Sequence, residues 1–293
     1  MLGLLTVSAF FIRLDNFKQS KLRSIDEIVY YRMAKQVLAE GLSGYHTMPY
    51  GKEMSDAGRP LPAYFFKPIF KYPPLFCLMI ALSMSITHPT LVAAYYVPLL
   101  MSVLMIPLVY MIGKECYSRR VGLFAAFFLY TDPISIATAQ KVWMDTSLAF
   151  FIVLSLFLFL KALRTKKVLY FLFSGVVCGL ATLTKYPGIL PLFIIAYYGL
   201  KIDKQLWKNS GYWVALLTPL IMLVPWFLWN LNVFGFSFLS IREHASQRHL
   251  EKIFMGIIVG GIGVMLFFMF RRYQKNIHKL FHLSEGVCRP NIP

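Results

Sequence analysis

Residues 90–113 read TLVAAYYVPLLMSVLMIPLVYMIG, an apolar stretch of 24 residues that contains no charged side chain. An α-helix needs about 20 such residues to cross the hydrocarbon core of a bilayer. The residues that follow, KECYSRR at 114–120, are polar and basic, and another apolar stretch begins directly after them. Because backbone polar groups in lipid must be satisfied within the segment, we expect this stretch to cross a membrane as a helix.

Similar stretches recur along the 293-residue chain, which is 58% hydrophobic and 15% charged. A soluble globular domain is about 25% charged, so this composition indicates a polytopic membrane protein. The formal net charge of +17 is then explained by basic residues that border spans and meet anionic headgroups. We expect no nucleic-acid partner, because no nucleic-acid-binding motif is present. The four cysteines are far apart and predict neither a disulfide framework nor a zinc site.

Hydropathy predicts an all-α transmembrane bundle of about eight spans. The predicted spans are residues 2–14, 90–113, 121–138, 146–163, 168–184, 188–200, 211–231 and 253–270. A further apolar run, 73–87, is assigned to the outer membrane surface as an interfacial helix. If that run crossed the membrane, the basic loops after the later spans would all face outward, against the positive-inside rule.

This topology places both termini in the cytoplasm and a large polar loop, residues 15–72, outside. Within that loop we predict an amphipathic helix at 25–40, followed by an irregular segment rich in Gly and Pro. We expect one membrane domain, residues 1–270, followed by a cytoplasmic tail at 271–293. The sequence has no Asn-x-Ser/Thr acceptor, which favours a prokaryotic plasma membrane over a eukaryotic secretory surface.

Asp26 and Glu27 begin the predicted outer helix, just beyond the first apolar segment. Carboxylates beside lipid are costly, so their presence there suggests chemistry. Adjacent residues on a helix point about 100° apart, so we do not expect a symmetric dyad. One carboxylate could face a cavity while the other caps the helix. Acidic residues at a helix start are also explained by capping and the helix dipole alone, and this alternative stays open.

Further charged residues are predicted on the same side of the membrane. Lys71 and Tyr72 precede a Pro-Pro pair at the start of the interfacial helix, where Lys71 could snorkel or hold a phosphate. Asp145 opens a span, where helix capping is the structural alternative. Lys185 lies in a short outer turn, against the positive-inside bias, and is therefore more informative than a cytoplasmic lysine.

The last outer loop contains Arg242, His244 and Arg248. The two arginines could bind phosphate or pair with acids, whereas a loop histidine usually serves neither metal nor proton chemistry. Asp132-Pro133 falls inside a predicted span and has the pattern of an N-cap followed by Pro at N1. We therefore predict a helix break there rather than a site.

These motifs together resemble the GT-C glycosyltransferases, in the branch of protein O-mannosyltransferases and lipid A aminoarabinose transferases (glycosyltransferase family 39-like). The resemblance is carried by Asp26-Glu27-x-x-Tyr30-Tyr31-x-x-Ala34, Lys71 with the Pro-Pro pair, the Asp145 unit, Gly179-Leu180-x-x-Leu183-Thr184-Lys185, and Pro225-Trp226-x-x-Trp229-Asn230. The motifs occur in the expected order over roughly residues 5–250.

The resemblance implies inverting transfer of a sugar from a polyprenyl-phosphate donor to a hydroxyl of a protein, lipid or glycan acceptor, on the outer membrane face. It makes Asp26 the catalytic base, and the catalytic set also includes Glu27 and Asp145, with Asp145 shaping the acceptor or sugar site. It assigns neutralisation of the leaving phosphate to Lys71 and Lys185. To these we add Arg242 and Arg248 as candidate donor-phosphate ligands, and Tyr30, Tyr72 and His244 as further candidate site positions.

A carboxylate base suits this chemistry because a hydroxyl is a poor nucleophile, and a leaving phosphate needs fixed positive charge. No cofactor beyond the lipid-linked donor is firmly implied. The sequence has no metal-ligand spacing, although a divalent cation near Glu27 or His244 stays open.

Two other functions also stay open. A transporter or lipid flippase would place charges inside the bundle beside broken helices; only Asp132 fits that pattern, and no inverted-repeat hydropathy supports it. A catalytically silent GT-C-like membrane protein would share the fold.

Overall fold

The computed structural model describes residues 1–14, 24–47 and 73–234. Within these ranges the regular secondary structure is helical, and no strand occurs there. The compact unit Met1–Val233 contains every described residue except Phe234. The predicted span at 253–270, the predicted tail, and five predicted site residues lie outside the described residues; these five are Lys71, Tyr72, Arg242, His244 and Arg248.

The helices follow one another with short connections. In chain order they are α1 (Leu2–Leu14), α2 (Ile25–Glu40), α3 (Gly44–Thr47), α4 (Leu75–Ile86), α5 (Leu91–Cys116), α6 (Arg119–Thr131), α7 (Pro133–Ala139), α8 (Met144–Thr165), α9 (Val168–Thr184), α10 (Leu190–Tyr197) and α11 (Ser210–Phe234). A 3-10 turn at Tyr186–Ile189 joins α9 to α10, and a π turn at Tyr198–Ile202 follows α10. The predicted helix at 25–40 is confirmed by α2.

Three of the described helices, α5, α8 and α11, are long and apolar enough to cross a bilayer. α6 and α7 pass the same test as a pair but bend by 59° at their junction. Shorter apolar helices are α1, α4, α9 and the stretch Tyr186–Ile202. The chain is therefore a helical, polytopic membrane protein. The described residues supply three or four spans by length and composition, and the total of about eight stays a prediction.

The bend between α6 and α7 has the cause that the sequence predicted. The Asp132 carboxylate accepts a 2.7 Å hydrogen bond from the Ser135 backbone N–H and so caps α7. Pro133 occupies the first turn of α7, where its missing N–H costs nothing. The predicted helix break at Asp132-Pro133 is confirmed.

Arg13, near the end of α1, is fully buried beside this break. Its Nε donates to Ser102 Oγ of α5 at 2.9 Å, and its Nη2 donates to Ser135 Oγ of α7 at 3.2 Å. The same Nη2 contacts the Leu129 carbonyl oxygen of α6 at 3.4 Å. A buried guanidinium requires such acceptors, because removing it from water is expensive. Arg13 therefore ties α1 to both sides of the bend.

Helices α8 and α9 are held together by a reciprocal pair of buried hydrogen bonds. Ser155 Oγ donates to the Ser174 carbonyl, and Ser174 Oγ donates to the Ser155 carbonyl, each at 2.9 Å. Both serines are fully buried. Because the two helices run antiparallel, the start of α8 lies beside the end of α9, which brings Asp145 and Lys185 to the same end of the pair.

The two ends of α8 carry different charged groups. Asp145 lies in its first turn, whereas Lys161 and Arg164 near its end both bind the carboxylate of Glu115 on α5. A helix of 22 residues is about 33 Å long. Asp145, which is predicted on the outer side, and Glu115 are therefore separated by the length of a span. The direction in which each end faces stays a prediction from the positive-inside rule.

Candidate active site

The N-terminus of α2 is closed by a capping box between Ser24 and Glu27. Ser24 Oγ accepts from the Glu27 N–H at 3.3 Å, and Glu27 Oε2 accepts from the Ser24 N–H at 3.0 Å. This reciprocal pattern follows from a Ser three residues before a Glu at a helix start. The Glu27 side chain is thereby turned inward and is 2% exposed, while Asp26 is exposed. The two adjacent acids thus have separate environments.

Glu27 also fixes the first turn of α2 to the loop between α7 and α8. Its Oε1 accepts from the Val142 backbone N–H at 3.2 Å. In the same loop, Trp143 Nε1 donates to Ser24 Oγ at 3.2 Å, and Lys141 Nζ lies 4.1 Å from the centroid of the Trp143 ring. The loop that leads into Asp145 is therefore held against the first turn of α2, which also carries Asp26, by hydrogen bonds to Glu27 and Ser24.

Asp145 forms an ion pair with Lys185 across α8 and α9. Lys185 Nζ donates to Asp145 Oδ1 at 2.7 Å, and the two side chains are 35% and 57% exposed respectively. Asp145 is not the N-cap residue of α8, because that position is occupied by Trp143, whose side chain makes no capping hydrogen bond. An ammonium has three N–H donors, of which this bond uses one. The ion pair is accessible to solvent, and the other N–H groups of the Lys185 ammonium can donate to a bound anion.

The turn that carries Lys185 is tightly packed. Lys185 has extended backbone at the end of α9, and its carbonyl accepts from the Gly188 N–H at 2.8 Å. A Cβ on Gly188 would lie 2.1 Å from the Ala181 carbonyl carbon, so only glycine permits this approach. The packing fixes the point from which the Lys185 side chain projects.

Aromatic side chains dock α11 onto this end of the bundle. Trp226 Nε1 donates to the hydroxyl of Tyr186, the residue after Lys185, at 3.3 Å. The buried Tyr45 of α3 packs edge-on against Trp226 with ring centroids 5.7 Å apart, and its hydroxyl donates to the Pro73 carbonyl at 3.4 Å. Pro73, which directly follows the predicted site residues Lys71 and Tyr72, is thus held beside the aromatic side chains of Tyr45 and Trp226.

The structure describes five of the predicted site residues: Asp26, Glu27, Tyr30, Asp145 and Lys185. It brings Asp145 and Lys185 into direct contact, and it connects them through the α7–α8 loop to Glu27 and the neighbouring Asp26. Tyr30 is buried and packs edge-on against Phe76 at 5.5 Å, between α2 and α4.

Several residues of this end were not selected from the sequence. Ser24 could have been found from its capping-box spacing to Glu27. Tyr45 and Tyr186 carry no local signal, because their partners are distant in the chain. In the part of the chain that the structure describes, no group of three or more His, Cys, Asp or Glu is placed to hold a metal ion.

Comparison with known families identifies the chain. The family model described as "Dolichyl-phosphate-mannose-protein mannosyltransferase" matches residues 71–229, which is more than half of the sequence. The chain belongs to this family. The match includes Asp145, Lys185 and Trp226 and covers α4 through most of α11. Membership of this mannosyltransferase family confirms the resemblance to GT-C glycosyltransferases that the sequence motifs indicated.

Two solved structures have the same fold. ArnT from Cupriavidus metallidurans, bound to undecaprenyl phosphate, aligns with a TM-score of 0.66 at 20% identity, covering 83% of this chain and 44% of that chain. The oligosaccharyltransferase AglB from Archaeoglobus fulgidus, in complex with an inhibitory peptide and a dolichol-phosphate, aligns with a TM-score of 0.56 at 16% identity, covering 99% of this chain and 39% of that chain.

Two curated relatives match over shorter regions. The Bacillus subtilis (strain 168) protein YkcB, named as a candidate mannosyltransferase, is 31% identical over 93 residues, 31% of this chain and 13% of that protein. An uncharacterized protein from Aquifex aeolicus (strain VF5) is 30% identical over 141 residues, 45% of this chain and 28% of that protein. The matched part therefore spans less than a third of either relative.

Proposed function

We propose that this protein is a membrane glycosyltransferase that moves a sugar from a polyprenyl-phosphate donor to a hydroxyl of a protein, lipid or glycan acceptor. The observation that carries this proposal is the exposed Asp145–Lys185 pair, connected through the α7–α8 loop to the start of α2. Through this connection the exposed Asp26 lies at the same end of the bundle as Lys185, which supports the assignment of both residues to one site. The lipid phosphates bound by ArnT and AglB support a donor of this class.

Asp26 is the proposed general base. The acceptor hydroxyl oxygen forms a bond to the anomeric carbon of the sugar while the bond from that carbon to the phosphate oxygen breaks. Asp26 accepts the hydroxyl proton, and the polyprenyl phosphate leaves with the bonding electron pair. A single displacement of this kind inverts the anomeric centre and needs one base. Glu27 supports Asp26 by holding the first turn of α2 in place.

Lys185 is the proposed partner of the departing phosphate. Fixed positive charge beside a leaving group stabilises the negative charge that develops in the transition state. Asp145 orients the ammonium through its 2.7 Å hydrogen bond and borders the sugar or acceptor site. Lys71, Arg242 and Arg248 are proposed as further phosphate ligands from the sequence, with Tyr72 and His244 beside them.

The proposed setting is a prokaryotic plasma membrane with the site facing outward. This orientation follows from the positive-inside rule, which assigns the Lys161 end of α8 to the cytoplasm. The apolar surfaces of the neighbouring helices would hold the prenyl chain, since a lipid tail needs a hydrophobic wall. The proposal assigns no step to a metal ion.

The test is donor cleavage in proteoliposomes that contain the full chain. Undecaprenyl-phosphate mannose, labelled in the sugar, is supplied and the formation of undecaprenyl phosphate is measured, with and without membrane extract as acceptor source. We expect the wild type to release undecaprenyl phosphate and Lys185→Met to lose most of this activity. Lys208→Met, a cation in an exposed turn before α11, is the matched control and should behave like the wild type.

Two outcomes would contradict the proposal. If the labelled lipid moves between leaflets without cleavage, the protein acts as a flippase. If several polyprenyl-phosphate sugars, including glucose and aminoarabinose donors, are neither cleaved nor bound, the protein is a catalytically silent relative.

A further inference from the structure

Asn230, in the last two turns of α11, contains a buried polar atom that the fold leaves unsatisfied. The residue is 2% exposed. Its Nδ2 donates to the Trp226 carbonyl at 2.7 Å, but its Oδ1 has no hydrogen-bond partner among the residues that the structure describes. Among the side chains that the structure describes, only Ser147 Oγ shares this condition. Burying an acceptor without a donor is unfavourable, so an orphaned atom of this kind calls for an explanation.

The position of Asn230 on α11 relates it to the candidate active site. Residues four apart on a helix lie on the same face, so Asn230 shares its face with Trp226. Trp226 binds Tyr186, which directly follows Lys185, and packs against Tyr45. Asn230 lies one helical turn, about 6 Å, beyond Trp226. The amide therefore lies on the face of α11 that meets the Lys185 turn.

The chemistry of the orphaned atom selects its ligand. A carboxamide oxygen accepts hydrogen bonds and cannot donate them, so it disfavours a phosphate oxygen and favours an O–H group. The bond from Nδ2 to the Trp226 carbonyl fixes the plane of the amide, which presets the direction of Oδ1. The proposed reaction brings two kinds of O–H group to this end of the bundle, the hydroxyls of the donor sugar and the acceptor hydroxyl, and the donor sugar carries several of them.

We propose that Asn230 Oδ1 accepts a hydrogen bond from a hydroxyl group of the transferred sugar and so helps to select that sugar. This assignment rests on the proposed glycosyltransferase function. In this assignment two residues bind different parts of the donor: Lys185 binds the phosphate, and Asn230 binds the sugar. A residue that contacts only the sugar should affect the binding of a sugar-bearing lipid and leave the bare lipid phosphate unaffected.

The test compares the affinities of two lipids for the full chain in nanodiscs, undecaprenyl-phosphate mannose and undecaprenyl phosphate. No acceptor is present, so any sugar effect arises from the donor. Asn230→Leu should weaken binding of the mannose lipid about 2- to 10-fold, the contribution of one hydrogen bond. The affinity of the Asn230→Leu variant for undecaprenyl phosphate should equal that of the wild type. Asn232→Leu, an exposed neighbour on α11, should change neither affinity.

A second arm uses mono-deoxy mannose donors with the wild type and Asn230→Ala, which avoids the branched bulk of Leu. Removing the mannose hydroxyl that Asn230 contacts should weaken binding of the donor to the wild type. The same removal should not weaken binding of the donor to Asn230→Ala any further. Equal weakening of both lipids, or no change in either, would overturn the Asn230 assignment and leave the proposed function standing. Failure of the wild type to bind either lipid would overturn both. Thermal unfolding of each variant checks that it is folded.

Discussion

Replacing Glu27 by Gln distinguishes a structural bridge from a catalytic group. Glu27 Oε2 accepts from Ser24 N–H and Ser24 Oγ at 3.0 and 3.2 Å, and Oε1 accepts from the Val142 N–H at 3.2 Å. Gln has the same length, but it offers one acceptor oxygen and replaces the other with an N–H donor. One of the two backbone N–H groups would then face a second donor.

The expected loss follows from these contacts. A hydrogen bond to a charged group contributes about 1.5–3 kcal/mol, and a buried N–H without an acceptor costs a similar amount. The Gln oxygen can still serve one side of the bridge, so we expect the free energy of unfolding to fall by about 1.5–3 kcal/mol. For a chain of a few hundred residues this corresponds to a fall in Tm of about 2–4 °C per kcal/mol.

Thiol labelling during heating measures this change directly. Cys77 and Cys178 are buried, so a fluorogenic maleimide reacts with them only when the bundle opens. Glu27→Gln is compared with the wild type and with Glu40→Gln, an exposed carboxylate at the other end of the same helix. The control should stay within about 0.5 kcal/mol of the wild type.

Activity measured on the same preparations decides between the two roles. The bridge predicts that Tm and sugar transfer fall together in Glu27→Gln. The contrary result is that Glu27→Gln is labelled at the same temperature as the wild type and loses sugar transfer completely. That result would refute the structural role and assign Glu27 to the catalytic groups.

Three further substitutions test other parts of the structure. Asp145→Asn should change stability by less than about 1 kcal/mol, because its ion pair with Lys185 is exposed, yet it should slow donor cleavage; a large drop in Tm would contradict this. Gly188→Ala should lower both Tm and transfer, since its Cβ would lie 2.1 Å from a backbone carbon, whereas Gly3→Ala, with no atom within 4 Å, should be neutral. Arg13→Met should lower the free energy of unfolding in the labelling assay by about 1–3 kcal/mol, because it leaves buried acceptors unpaired. A variant as stable as the wild type would show that Arg13 does not hold the α6–α7 bend.

Features encoded in neighbouring residues could be predicted from the sequence. The bounds of α2 and the break at Asp132-Pro133 depend on capping residues and on Pro, which act within one turn. The different environments of Asp26 and Glu27 follow from their 100° separation on a helix. The choice of Glu27 as the capping residue was also available locally, because Ser24 lies three residues before it.

Features that depend on distant contacts could not be predicted in the same way. Glu27 and Val142 are 115 residues apart, and Asp145 and Lys185 are 40 apart. Hydropathy gives the order of the helices but not which faces meet. The burial of Arg13 was equally hidden, since an arginine near the end of an apolar segment normally snorkels to the interface. The carbonyls and hydroxyls that accept its hydrogen bonds become visible only in the packed structure.

Single-turnover sugar transfer by Asp26→Asn, with undecaprenyl-phosphate mannose as donor, tests whether Asp26 is the base at a site organised by Asp145 and Lys185. Asn has nearly the same shape as Asp but cannot accept the proton. We expect the variant to bind the donor with an affinity within about 2-fold of the wild type and to transfer sugar at least about 100-fold more slowly, since a general base contributes at least this factor. Transfer at the wild-type rate by Asp26→Asn would contradict this role of Asp26.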